Sequence, residues 1–152
     1  MSDPLTSLED WLSPLLAALS AQERRELARK VGQDLRRTQA ARIAAQRAPD
    51  GSDYAPRKAP PTRARAMPGK IRRTMFAKLR TAKHFKVQAT EEGVAVGFLG
   101  RAARIATVHQ EGREDRVKPG GPTHRYPARP LLGFTDAERE QLRDSVLAHL
   151  TG

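Results

Sequence analysis

The sequence contains no cysteine, which excludes disulfides, thiolate nucleophiles and cysteine-held metal centres. Aromatic residues make up only 5% of it. Those within its most basic stretch, Tyr54, Phe76 and Phe85, are too sparse to form a stacking platform for single-stranded nucleic acid. Large apolar side chains are scarce as well. Leu, Ile, Val and Phe number 29 of 152 residues, a share bordering on that of chains that do not fold alone. So thin a core is expected to complete its apolar burial against copies of itself or a partner. The leucine-rich start, Met1–Leu19, lacks a basic lead-in, carries Asp3, Glu9 and Asp10 and contains Pro14, so it reads as neither signal peptide nor membrane span.

The most consequential absence is of acid. From Tyr54 to Thr90 there are eleven Lys/Arg and not one Asp or Glu. The flanks are neutral, with eight basic and eight acidic groups in residues 1–53 and nine of each in residues 91–152. The whole formal net charge of +11 therefore lies in one segment. Arginines on a loop can serve solubility alone, but a field segregated in this way implies a polyanion or an acidic protein face opposite it. No helix-turn-helix or RNP pattern is present, so any nucleic-acid contact is expected to be with phosphates and blind to sequence.

Catalytic signatures are missing too. His84, His109, His124 and His149 have no metal-ligand spacing. His109 could act as ligand or base, although a lone histidine is more often a packing residue. The six serines never sit in a GxSxG setting. Pro119-Gly120-Gly121-Pro122 lacks the Lys-Ser/Thr of a phosphate loop. The chain reads as a non-enzyme without cofactor or metal.

Along the chain, Asp3-Pro4 opens a helix bearing Leu5, Leu8, Leu12, Leu15, Leu16 and Leu19, either kinked by Pro14 or starting later. Ser20 and Glu23 form a capping box for a long charged helix with Leu27, Val31, Leu35, Thr38 and Ile43 as its apolar stripe. Pro49-Asp50-Gly51 stops it. Ser52–Gly69 reads as an extended loop, and Lys70–Lys83, with Ile71, Met75 and Leu79 four apart, as a short basic helix. Phe85–Ala89 and Val94–Phe98 alternate around Glu91-Glu92-Gly93 as a β-hairpin, with a third strand suggested over Ile105–Gln110. Glu111–Pro122 reads as a mobile loop. Thr135 and Glu138 cap a last helix with Leu142, Val146, Leu147 and Leu150 on one face. The expected fold is α+β in a single domain, 1–152. Long N-terminal helices (1–48) and a C-terminal helix (135–150) pack around a small antiparallel sheet (84–110). A basic loop and short helix (49–83) and a Gly/Pro-rich connector (111–134) complete it.

Three stretches together resemble the tail completion (virion morphogenesis, protein S) family of contractile-tailed bacteriophages and phage-tail-like particles. They are Arg42-Ile43 with Pro49-Asp50-Gly51-Ser52 and Tyr54-Ala55-Pro56-Arg57-Lys58; Val108-His109-Gln110-Glu111-Gly112; and Tyr126-Pro127-Ala128-Arg129-Pro130-Leu131-Leu132-Gly133-Phe134, followed by Asp136 and the terminal helix. The resemblance implies a non-enzymatic subunit at the head-proximal end of a tail. It would be assembled in the host cytoplasm, located in the virion, and arranged as a homo-oligomeric ring, commonly a hexamer. Its partners would be the tail tube, sheath, tail terminator or head connector, with possible contact to DNA in the lumen and none to membrane. The expected interface residues are Arg57, Lys58, Arg63, Arg65, Arg72, Arg73, His109, Arg125, Tyr126 and Arg129. Arg129 stands between two prolines, which should hold the chain extended and send the guanidinium to an acidic residue or carbonyl of a neighbouring subunit or the adjoining ring. The alternative is a small basic protein that binds nucleic acid irrespective of sequence.

Overall fold

The computed structural model describes residues 4–56, 74–116 and 119–151. Its first helix, α1 (Pro4–Ala17), runs through Pro14 without interruption. The second, α2 (Ala21–Ala44), starts at the expected cap, where the Ser20 hydroxyl accepts the Glu23 N–H at 3.2 Å. Leu27, Val31, Leu35 and Ile43 form its buried stripe. The hairpin also forms as expected: β1 (Phe85–Ala89) pairs antiparallel with β2 (Val94–Phe98), Phe85 opposite Phe98 and Val87 opposite Val96. Phe85 and Phe98 meet edge to face, centroids 4.6 Å apart, a favoured aromatic geometry.

Three expectations are corrected. Ile105–Gln110 is not a strand but lies within a helix, α3 (Arg101–Glu111). Ala102 and Ala106, four apart, are its buried pair, and Gly112, at φ +69°, ends it in the left-handed conformation that glycine adopts without steric cost. The short alternation at Ile105, Thr107 and His109 imitated a strand inside that helical period. Of the helix expected over Lys70–Lys83, residues 70–73 lie outside the described residues, and residues 74–84 form successive turns and bends instead of a regular helix, with Phe76 at φ +64°. Met75 and Leu79 are nonetheless buried. The supposed mobile loop Glu111–Pro122 holds strand β3 (Glu114–Arg116), which pairs with β4 (Thr123–Arg125) just beyond it as a second hairpin in which Glu114 faces Arg125. The chain closes with α4 (Asp136–Thr151).

Two apolar clusters hold these elements together. Leu27, Val31, Leu35 and Val146 join α2 to α4, with Leu12, Leu16 and Leu19 packed alongside. Ile43, Tyr54, Met75, Leu79, Phe85, Ala102, Ala106 and Leu131 form the other beneath the turns and α3. Val96 touches both. Leu142 and Leu150 line the inner side of α4, whereas Leu147 is 43% exposed. Four helices and two two-stranded antiparallel sheets among the described residues make the fold α+β.

Candidate functional site at the root of the basic segment

Where α2 ends, the chain makes a Schellman turn. Gln46 N–H bonds to Ile43 O at 3.0 Å and Arg47 N–H to Arg42 O at 3.3 Å, with Gln46 at φ +60°. Glycine is the usual occupant of that position, and a larger side chain there is strained by roughly 1–2 kcal/mol. The glutamine has a second task. Its amide donates to Met75 O at 2.9 Å and accepts from Met75 N–H at 2.9 Å, while its backbone carbonyl accepts the Tyr54 N–H at 2.9 Å. Gln46 thus holds the chain on both sides of residues 57–73. Tyr54 and Phe76 meet above it edge to face, centroids 5.8 Å apart.

The departing side carries a further clamp. Arg129 Nε donates to Ala55 O at 2.8 Å and an Nη to Pro56 O at 3.1 Å, and the Arg129 backbone N–H bonds to His109 O at 2.6 Å. The planar guanidinium suits two carbonyls held side by side. The buried Tyr54 hydroxyl donates to Pro130 O at 3.0 Å. Burial pushes its pKa up to about 12, against a smaller opposing effect of Arg42, so it remains a donor. A row of rings runs from this point, with Phe76 to His109 at 4.8 Å, His109 to Tyr126 at 5.0 Å and Tyr126 to His124 at 4.8 Å. Burial first, and Arg129 second, push the His109 pKa down to about 4. The imidazole is therefore neutral at physiological pH.

The connector behind Arg129 is fastened by glutamines. Gln110 accepts from Leu131 N–H at 2.7 Å and Leu132 N–H at 2.9 Å and donates to Leu132 O at 2.9 Å. Gln39 donates to Gly133 O at 2.7 Å and accepts from Gly133 N–H at 3.2 Å. These bonds supply the extended tract with the backbone partners that a sheet would otherwise give it.

Of the residues expected at an interface, Arg57, Lys58, Arg63, Arg65, Arg72 and Arg73 lie outside the described residues. His109, Tyr126 and Arg129 come together at the root of the basic segment, and Arg125 is exposed on β4. Arg129 requires a correction. It is only 6% exposed and bonds its own chain, because the backbone departing toward residue 57 offers it Ala55 O and Pro56 O. Sequence reading missed Gln46, Gln39 and Gln110. A glutamine two residues beyond a helix end, close before Pro49-Asp50-Gly51, is the only local sign of the first. Among the described residues no group of three or more His, Asp or Glu could hold a metal ion, and no helix is long and apolar enough to cross a membrane.

Residues 3–151 match the phage virion morphogenesis family. The chain is 40% identical over 143 residues to the tail completion protein S of Escherichia phage P2, covering 93% of this chain and 94% of that one. No solved structure matches. With the match spanning both helical ends, the root and the connector, the chain belongs to the phage virion morphogenesis family.

Proposed function

We propose that the chain is a structural subunit of a phage tail that forms a sixfold ring at the head-proximal end, completes the tail and docks the neighbouring neck proteins. The observation that carries this reading is the 40% identity, over nearly all of both chains, to a protein named for tail completion. Membership of the family supports the structural role, in the virion tail and without catalysis. The sparse core supports assembly, as does the exposure of Trp11, Leu99 and Ile105, at 41%, 54% and 46%, since large apolar side chains left in water favour contact with a neighbour. Heterologous contacts between identical subunits close into a ring when their rotation allows it. The tail tube, sheath, tail terminator and head connector are the partners such a ring would meet, and the host cytoplasm is where it would assemble.

In this reading the basic segment faces DNA in the lumen. Residues 57–73 carry seven Lys/Arg, and Met67 and Ile71 are their only large apolar side chains. A stable protein interface draws on buried apolar anchors, whereas phosphates are met by cations alone. The charge also sustains a second reading, a monomeric or dimeric DNA-binding protein. Native mass spectrometry of the purified chain separates the two. A species of hexamer mass, or uptake into tails, is the expected result; monomer or dimer alone, without uptake, would refute the ring.

A further inference from the structure

The two neutral flanks are not neutral face by face. Helix α2 carries seven Lys/Arg against Glu23, Glu26 and Asp34, whereas α4 carries Asp136, Glu138, Glu140 and Asp144 against Arg139 and Arg143. The two helices pack through Leu27, Val31, Leu35 and Val146, with Leu142 alongside, and Glu138 at the start of α4 meets Thr38 and Gln39 near the end of α2, so they run antiparallel. Arg29, Gln33 and Arg37 follow Leu27, Val31 and Leu35 by two positions each, about 200° around a helix of 3.6 residues per turn. Glu140 and Asp144 follow Glu138 and Leu142 in the same way. The helix pair therefore turns a basic side outward from α2 and an acidic side outward from α4, away from the seam in opposite directions.

Both sides are open. Arg29, Lys30, Arg37, Glu140 and Asp144 are all exposed. Among the described residues Arg29, Lys30, Glu140 and Asp144 form no ion pair, and Arg37 meets Asp34 at 3.7 Å with its own side chain 78% exposed. Two acids four apart on a helix surface repel each other, and no cation within the chain offsets that cost. Leu147, three residues beyond Asp144 on the same face, is 43% exposed.

We propose that these two sides are the contact between neighbouring copies of the chain: the outer face of α4 in one subunit docks on the outer face of α2 in the next, Glu140 and Asp144 against Arg29, Lys30 and Arg37. The proposal rests on the reading of the chain as a ring subunit and names the surface that closes the ring. Charge complementarity within one chain argues for a second copy as the occupant. The register the helices keep within the chain sets Glu138 beside Thr38 and Val146 among Leu27, Val31 and Leu35. A neighbour's α4 laid in that register against the outer side of α2 brings Glu140 level with Arg37, Asp144 between Lys30 and Arg37, and Leu147 against the aliphatic stem of Lys30. Matched charges of this kind fix register and suppress wrong partners. Because the two sides differ, the contact is heterologous and repeats from copy to copy, as closure into a ring requires.

The test is charge reversal with complementation in the full chain, read by native mass spectrometry at low salt and by uptake into tails. One variant carries Arg29→Glu, Lys30→Glu and Arg37→Glu, and a second carries Glu140→Lys and Asp144→Lys. All five positions are exposed, so both variants should melt near the wild type. Should the triple reversal melt below the working temperature, Arg29→Glu with Lys30→Glu replaces it. Each variant alone sets like charges across the contact, and its self-association should fall at least about tenfold. Mixed in equal amounts, the two variants present opposite charges to each other at every contact and should recover the wild-type assembly, with the two chains in equal number. A chain carrying both sets of reversals should recover it as well. If either variant alone assembles as the wild type does, this contact is overturned and the ring stands. If both weaken and neither the mixture nor the combined chain recovers, the two faces do not meet, and the cations of α2 serve another partner, a nucleic acid or an acidic tail protein. If the wild-type chain neither assembles nor enters tails, the ring reading and this contact are overturned together.

Discussion

Glu138 collects donors from two distant parts of the chain. Thr38 Oγ1 and Gln39 Nε2 reach one carboxylate oxygen at 2.9 and 2.6 Å, Thr135 Oγ1 reaches the other at 3.1 Å, and Arg42 completes a salt bridge in which the two side chains are 11% and 5% exposed. The residue identified from sequence as half of a capping box is also the counter-ion of a nearly buried arginine. Removing one partner of such a pair leaves the other charge uncompensated, at a cost of about 3–5 kcal/mol. Glu138→Gln should therefore lower the unfolding free energy from urea melts by about 3 kcal/mol; a loss below about 1 kcal/mol, the level of an exposed pair, would contradict the network. His109 makes a separate prediction. It lies between the Phe76 and Tyr126 rings with Arg129 as its charged neighbour. Its folded pKa of about 4 lies below the unfolded value of about 6.5, so the unfolded chain binds the proton first. Its contribution is undiminished above pH 6.5 and is lost progressively as the pH falls from 6.5 to 4. His109→Phe should flatten thermal stability across that window. Identical pH profiles for variant and wild type would show that the imidazole is not held neutral.

At the scale of elements, the hairpin and α2 meet more closely than helix propensity would favour. A Cβ on Gly32 would stand 2.4 Å from Val87 Cγ1 and 2.6 Å from Val94 Cγ2, and both valines are stiff at χ1. Alanine gains about 1 kcal/mol as a helix former, but overpacking costs about 1–3 kcal/mol. Gly32→Ala should lower the urea midpoint, and a raised midpoint would show that the helix and hairpin can separate freely. Val96, in contact with both apolar clusters, makes the stronger case. Val96→Asp should yield insoluble protein, and a soluble, assembling variant would mean that this face is open. The elements legible in the sequence were those whose signal is local: capping boxes at Ser20 and Thr135, the four-residue spacing on α2, and the alternation around Glu91-Glu92-Gly93 that gave both strands of the hairpin. Those lost were decided by distant contacts. Ala102 and Ala106 are buried because β2 and Leu131 lie over them, and alanine alone announces no face. Phe76 breaks a helix that Met75 and Leu79 predicted, because Gln46 holds the preceding residue. Arg129 was noticed for its charge and misread in direction, since nothing local shows that Ala55 and Pro56 return to meet it.

For the whole molecule, family membership fixes the setting and the charge distribution divides the labour. All of the net charge of +11 lies in Tyr54–Thr90, between two neutral flanks. Within that stretch Tyr54, Met75, Leu79 and Phe85 belong to the core, and the residues on either side of 57–73, where seven of its eleven cations lie, are clamped together at one root. Body and segment should therefore fail separately. Replacing Arg57, Lys58, Arg63 and Arg65 with alanine should leave the melting curve unchanged and block the joining of heads to tails, scored as particle yield; a normal yield would remove the segment from the joining step. The most direct measurement is the location of this chain in intact particles by electron cryomicroscopy. The account predicts a sixfold ring of its density at the head-proximal end of the tail, with the segment between Pro56 and Thr74 turned to the lumen. Density elsewhere in the particle, or none in finished virions, would contradict it.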